Sequence, residues 1–283
     1  MSLTTESKSQ ELPTGTSWLV KASDNVSVHT YMSPYPMFAN TSHIIELEKE
    51  LIIIDGQFFA PYAQELKTFV DSIGKPISRF YISHGHPDHY IGFGDAFPNV
   101  KVYALAETKA LIEAEGQSTL EQRQGQFGPL IANNLNYPAF IQKPGLEQIG
   151  NVDFIFEKSE NNEFETSLII KIPELGLNIV QDIVYNNVHL FIEGELKGWE
   201  AAFNKLLSEI NEYPTILAGH GKEGSVDLIK ANLNYLSFVK ETIEKTSSSE
   251  EFKSKLLEEY PDYAGVQLVD IYLAYYLKPD NWK

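Results

Sequence analysis

Tyr81-Ile82-Ser83-His84-Gly85-His86-Pro87-Asp88-His89 is the stretch whose reading decides the fold. An apolar run ends here, and three of the chain's seven histidines and one aspartate follow within six residues. Imidazole and carboxylate donors are the ligands of zinc, iron and manganese. Gly85 and Pro87 suit a tight loop rather than a helix, and a loop can turn several side chains toward one point.

Short β-branched runs surround this segment. Residues 17–21, 26–31, 42–47 and 51–55 read as a meander of antiparallel strands, separated by turn residues such as Ser23-Asp24-Asn25. Residues 62–73 carry Leu66, Phe69, Val70 and Ile73 at helical spacing, with Gly74 as the C-cap. Residues 77–82 and 100–105 read as buried strands and 107–115 as a helix, while 125–144, with its prolines and paired asparagines, reads as a long loop. The theme then repeats, with strands at 152–157, 167–172, 177–181 and 215–217 and a helix at 198–210. From Val226 onward the chain reads as helical, with breaks near Ser247 and Pro261. Two halves of strands followed by helices predict two sheets packed face to face with helices outside.

Composition narrows the chemistry. The 283 residues contain no cysteine, which excludes disulfides, thiolate zinc sites, iron–sulfur clusters and cysteine nucleophiles. A formal charge of −17 opposes a nucleic-acid partner, because such affinity rests on Lys and Arg neutralising phosphates. The length and the 43% hydrophobic content fit one domain over residues 16–283, preceded by a flexible leader over 1–15. Within that domain, 226–283 forms a helical C-terminal extension, whose aromatic stretch 272–276 reads as core or as a homodimer face. A polar N-terminus and the absence of any long apolar run predict a cytoplasmic protein with no membrane contact.

The H-x-H-x-D-H pattern at a strand end resembles the signature of the metallo-β-lactamase-fold hydrolase superfamily, and the motif order along the chain extends the likeness from about residue 17 to 224. Asp55 ends an early strand, Asp182 ends a later one, and His220 stands between Gly219 and Gly221, as in that superfamily. One position departs from its commonest pattern: no histidine lies between His89 and Asp182. Aligning Ser167 with the family serine puts Glu163 at the third-histidine position, nineteen residues before Asp182, as in alkylsulfatase-type members; Glu165 is the alternative.

The resemblance implies an α/β fold, a four-layer αββα sandwich, with two divalent metal ions at one edge. It implies His84, His86 and Glu163 on the first metal, Asp88, His89 and His220 on the second, and Asp182 as the bridge. Zinc is the first expectation for both. A glutamate in place of histidine adds negative charge and favours the harder manganese or iron. A water bridging the metals becomes hydroxide near neutral pH and serves as the nucleophile on a small-molecule ester, lactone or sulfate ester. Asp88 joins the catalytic set. Tyr185 and His189, just after Asp182, stand as candidates for proton donation or oxyanion stabilisation. Asp55 is expected to hold a ligand histidine in its tautomer, and His29 and His43 to be structural.

Other classes share this fold. An iron-dependent oxidoreductase of the persulfide dioxygenase kind is the main alternative. A flavodiiron enzyme would need glutamate where His86 stands, and a nuclease is opposed by the charge. A non-enzymatic metal binder is opposed by the full ligand set.

Overall fold

The computed structural model describes residues 12–193 and 196–277. Most of the expected leader, residues 1–11, lies outside them. Its last part is held on the first helix: Tyr62 Oη donates to the Pro13 carbonyl at 3.0 Å, and the Gly15 N–H donates to Glu65 at 2.8 Å.

The expected αββα layering is present. Strands β1 (Thr16–Ala22), β2 (Val26–Met32), β3 (Thr41–Leu47), β4 (Leu51–Ile54), β5 (Ile77–Tyr81), β6 (Val102–Ala104) and β7 (Phe140–Ile141) form one sheet in that order. Its first four strands are antiparallel, and β4 to β7 run parallel. Helices α1 (Ala60–Ile73) and α3 (Ala106–Phe127) supply the crossovers, and α2 (Pro87–Tyr90) is a single turn after β5. The second sheet runs β12-β11-β10-β9-β8, from β8 (Gly145–Ile149), β9 (Val152–Glu160), β10 (Thr166–Ile172), β11 (Leu177–Tyr185) and β12 (Thr215–His220). Helices α4 (Leu196–Ser208), α5 (Val226–Lys245), α6 (Ser249–Glu259) and α7 (Val266–Tyr275) cover its outer face.

The period-2 geometry of the central strands builds these layers. On β4, Leu51 and Ile53 pack toward α1, while Ile52 and Ile54 face the other sheet. On β10, Leu168, Ile170 and Ile172 join the inter-sheet core, whereas Ile169 faces the outer helices. Strands buried on both faces appear as unbroken apolar runs, such as Leu51-Ile52-Ile53-Ile54, and these were the most readable part of the chain.

Two expectations need correction. Helix α3 does not stop at Glu115 but continues to Phe127, into the segment expected to be loop. Its buried stripe is Thr108, Ile112, Gly116 and Leu120, and a stripe passing through threonine and glycine gives little hydrophobic periodicity. The second half of the metal-ligand motif is helical, because Pro87 opens α2 and places Asp88 and His89 on one turn. Of residues 272–276, Tyr272 is core, whereas Tyr275 is exposed. Among the described residues, no helix is long and apolar enough to cross a membrane.

Candidate metal centre

The C-terminal ends of β4, β5, β11 and β12 and the β9–β10 hairpin deliver the expected residues to one edge of the sandwich. His84, His86, Glu163 and Asp182 form one group and Asp88, His89, Asp182 and His220 another; within each, one donor atom per residue lies within 4.8 Å of the others. Asp182 belongs to both groups. Its Oδ2 lies 3.2 Å from His89 Nε2, 3.2 Å from His220 Nε2 and 3.7 Å from His84 Nε2. Glu163 Oε1 is 3.0 Å from His86 Nδ1.

Local backbone explains this convergence. In the β9–β10 hairpin, Asn162 Oδ1 accepts from the Phe164 N–H and from Ser167 Oγ, an Asx-type turn that shapes the loop carrying Glu163. Glu163 is buried and Glu165 is exposed, so the hairpin presents Glu163 to the cluster. The β11–β12 register shifts between Ile179 and Gln181, a bulge of the kind that re-aims side chains at the end of a strand. Positive φ angles at Phe38 (69°), Asp55 (60°) and Gln181 (46°) gather around the same edge. Strain of this kind is concentrated at functional sites, at about 1–3 kcal/mol per residue.

Every histidine of the cluster has one nitrogen committed outward and the other turned inward. Asp55 Oδ2 accepts from His89 Nδ1 at 2.8 Å and from Ser83 Oγ at 2.6 Å. Ser83 Oγ in turn accepts from His84 Nδ1 at 2.9 Å. His86 Nε2 donates to Glu193 at 2.7 Å, and His220 Nδ1 donates to the Phe38 carbonyl at 2.7 Å. Partners of this type orient the ligands of metal sites. Asp55 makes the hydrogen bond to a candidate ligand histidine that the expectation called for. Glu193, Ser83 and the Phe38 carbonyl were not foreseen. Glu193 is 107 residues from His86 in sequence, and no local motif joins the two.

The electrostatics suit cations. Burial alone would lower the pKa of His89, but Asp182, Asp88 and Asp55 raise it well above the usual imidazole value. Burial is likewise overridden at His86 by Glu163 and Glu193, and at His220, which Asp182 and Asp88 push up to about 10. His84 goes the other way, to about 3, through burial and its histidine neighbours. Burial pushes Glu163 up to about 7. Glu163 Oε2, Asp182 Oδ1 and His89 Nε2 are buried with no hydrogen-bond partner. Buried polar atoms of this sort, converging as nitrogen and oxygen donors, match the ligand chemistry of divalent transition metals, so the residues fit the implied ions.

Tyr185 is brought into the site. Its Oη donates to Asp182 Oδ2 at 2.9 Å and its ring stacks on His220 at 4.7 Å. Burial and the carboxylates of Asp182 and Glu163 raise its pKa well above the phenol value and keep it a donor. A cavity opens beside the cluster, with Phe38, Phe58, Phe191 and Leu268 as apolar wall and Asp88, Asp182, Tyr185 and His220 among its lining. A wider cleft reaches His86 and Glu163 from the side of α3.

His189 is not brought to either cavity. It is buried among the C-terminal helices, with Nδ1 2.9 Å from Tyr235 Oη and its ring against Tyr263. The chain turns away from the cluster after Tyr185, and the His189 N–H donates to the Ala264 carbonyl. His29 pairs with Glu46 at 3.0 Å, and His43 is buried 2.9 Å from Thr30 Oγ1, so both are structural as expected.

Burial lowers the His189 pKa to about 4, so the folded chain holds it neutral where the unfolded chain protonates it near pH 6.5. Its contribution is fully present above pH 6.5 and is lost as pH falls toward 4, at up to about 1.4 kcal/mol per pH unit. Thermal melts over this range should show a shallower loss of stability in His189→Asn than in the wild type. Parallel curves would refute the linkage.

No family model matches the sequence. The fold is similar to that of a metallo-β-lactamase from Pontibacter korlensis, with a TM-score of 0.61 at 17% identity over 78% of this chain and 99% of the other. It is also similar to the DIM-1 metallo-β-lactamase, with a TM-score of 0.58 at 14% identity over 81% of this chain and 99% of the other. For VMB-1 the TM-score is 0.59 at 15% identity, over 80% and 98% of the two chains. At these identities the likeness is one of fold: the chain has the metallo-β-lactamase fold.

Proposed function

We propose that this protein is a metal-dependent hydrolase that cleaves an ester, lactone or sulfate-ester bond in a small molecule. The observation that carries the proposal is the pair of four-residue donor groups sharing Asp182 beside an apolar-walled cavity. His84, His86 and Glu163 would hold one divalent ion and Asp88, His89 and His220 the other, with Asp182 contributing to both. Zinc is the first candidate for each ion, and manganese or iron is the alternative favoured by the carboxylate of Glu163. When bound, such ions supply Lewis acidity and lower the pKa of water toward neutrality.

The chain's own residues account for the rest. The apolar wall of Phe38, Phe58, Phe191 and Leu268 excludes bulk water and strengthens every charge interaction inside the cavity. The Tyr185 hydroxyl, held by Asp182 at 2.9 Å, can swing its proton to an oxygen on which negative charge develops. The Asp88 carboxylate is 21% exposed at the cavity and, despite burial, is held below the usual carboxylate range by His89 and His220, so it can take a proton from the attacking water and pass it to the departing group. Asp55, Ser83, Glu193 and the Phe38 carbonyl keep the four imidazoles in register throughout.

Elemental analysis of protein purified without added metal is the primary test, with about two divalent ions per chain expected. A panel of aryl esters, lactones, sulfate esters and phosphate esters then reports the bond cleaved. Bound iron together with oxygen consumption would overturn the reading in favour of an oxidoreductase. Glu163→Gln should lower metal content because it removes a buried anionic donor, whereas Glu165→Gln, at an exposed position, should leave it unchanged. Equal losses in the two variants would refute the assignment of Glu163.

A further inference from the structure

The four imidazoles of the cluster are not all oriented from the same part of the fold. Asp55 follows β4, Ser83 follows β5 and Phe38 lies between β2 and β3, so three of the outward partners sit on loops of the first sheet. Glu193, which accepts from His86 Nε2 at 2.7 Å, lies between β11 and α4. The C-terminal helices fix that segment. The Ala264 N–H donates to the Asn187 carbonyl and the His189 N–H to the Ala264 carbonyl, each at 2.9 Å. Val188, Leu190 and Ile192 are buried in the same core as Val269, Tyr272 and Leu273. Phe191 stands edge-on to His86 at 5.2 Å and also packs on Tyr272 and Tyr276, at 6.4 Å and 5.8 Å. Tyr276, one residue past α7, donates from its hydroxyl to the Glu193 carboxylate.

With Nε2 taken by Glu193, His86 turns Nδ1 to Glu163 Oε1, at 3.0 Å. A carboxylate on the far nitrogen fixes ring and tautomer and makes the near nitrogen a better donor to a metal. The Glu193 side chain is 29% exposed, so water competes with His86 for it, and the Tyr276 hydroxyl restricts that freedom. We propose that Tyr276 is a positioning residue for the ion held by His84, His86 and Glu163. Through Glu193 it fixes His86, so the C-terminal helical layer sets the affinity of one site of the pair and leaves the other to the loops of the first sheet. The role rests on the metal assignment proposed above and is independent of the bond cleaved.

Zinc(II) is the probe, titrated into the chelator-stripped full chain in competition with a chromophoric chelator, so that two binding steps are resolved. Tyr276→Phe should weaken one step roughly tenfold, as loss of a hydrogen bond to a charged group predicts, and leave the other unchanged. Glu193→Ala should weaken the same step roughly 10–100-fold, and Glu193→Gln, which keeps an acceptor oxygen, should recover part of that loss. The affected step should be the one that disappears in His86→Ala. In the Glu193→Ala background Tyr276→Phe should add nothing, because the two residues act in series. Tyr275→Phe, at an exposed position, should leave both steps unchanged. Circular dichroism and melting curves check that the variants fold. Unchanged binding in Tyr276→Phe, an equal weakening of both steps, or a loss that persists in the Glu193→Ala background each overturns the proposal. A wild type that binds no zinc overturns it together with the metal assignment. If the expected pattern is found while no ester, lactone or sulfate ester is turned over, the hydrolase reading fails and the positioning role stands.

Discussion

Asp182→Asn should leave a folded protein that has lost at least one metal ion and most of its hydrolytic activity. Asp182 is the one side chain common to both of these donor groups, and its Oδ2 is within 3.2 Å of two imidazole nitrogens, His89 on α2 and His220 at the end of β12. Asparagine keeps the volume but removes the charge and one acceptor oxygen. Loss of a residue that only orients a ligand costs roughly 10–100-fold, so loss of a shared ligand should exceed about 100-fold. The fold should persist because the inter-sheet core is made by residues such as Ile179, Leu217 and Phe156, and Asp182 is not among them. Metal content by elemental analysis and far-ultraviolet circular dichroism are the paired readouts. Full metal content in Asp182→Asn, and likewise in His86→Ala and Asp88→Ala, would sink the site assignment.

Gly219→Ala should reproduce much of this loss without altering any charge. A Cβ at position 219 would stand 1.7 Å from Asp182 Oδ1 and 2.9 Å from the Asp182 backbone nitrogen. A heavy-atom contact of that length cannot exist, so the Asp182 carboxylate must leave its position or β11 and β12 must part. Overpacking of this kind costs about 1–3 kcal/mol, which the melting temperature will register. The metal-ligand geometry depends on tenths of an ångström, so metal affinity should suffer more than stability. A Gly219→Ala protein with wild-type metal content would mean that Asp182 does not need its present position to hold the ions.

The two variants probe a part of the site that was legible in the sequence and a part that was not. Polar residues that interrupt or end apolar strand runs stand out, and Asp55, His84, His86, Asp88, His89, Asp182 and His220 all do so. Glu163 emerged only through the family resemblance, by aligning Ser167 with the family serine, and Glu165 stayed beside it until the hairpin showed which of the two is buried. Tyr185 and His189 looked alike in sequence, both following Asp182 closely. Tyr185 is still on β11 and shares the carboxylate's edge, whereas the chain has turned into the helical layer by His189. Helix α3 was underestimated because its buried stripe runs through Thr108 and Gly116.

Sequence alone determined the layers and most of the donor set, because both depend on local rules. Period-2 apolar runs commit a strand to two buried faces, and a dense H-x-H-x-D-H segment places several donors within a few ångströms through chain connectivity alone. Tertiary structure decided which groups orient and surround those donors. The Glu193 carboxylate at His86, the Phe38 carbonyl at His220 and the Gly219 clearance for Asp182 all join residues far apart in the chain. Such pairings leave no periodicity or spacing to read, since they arise only when the two sheets and the helices outside them close on one another.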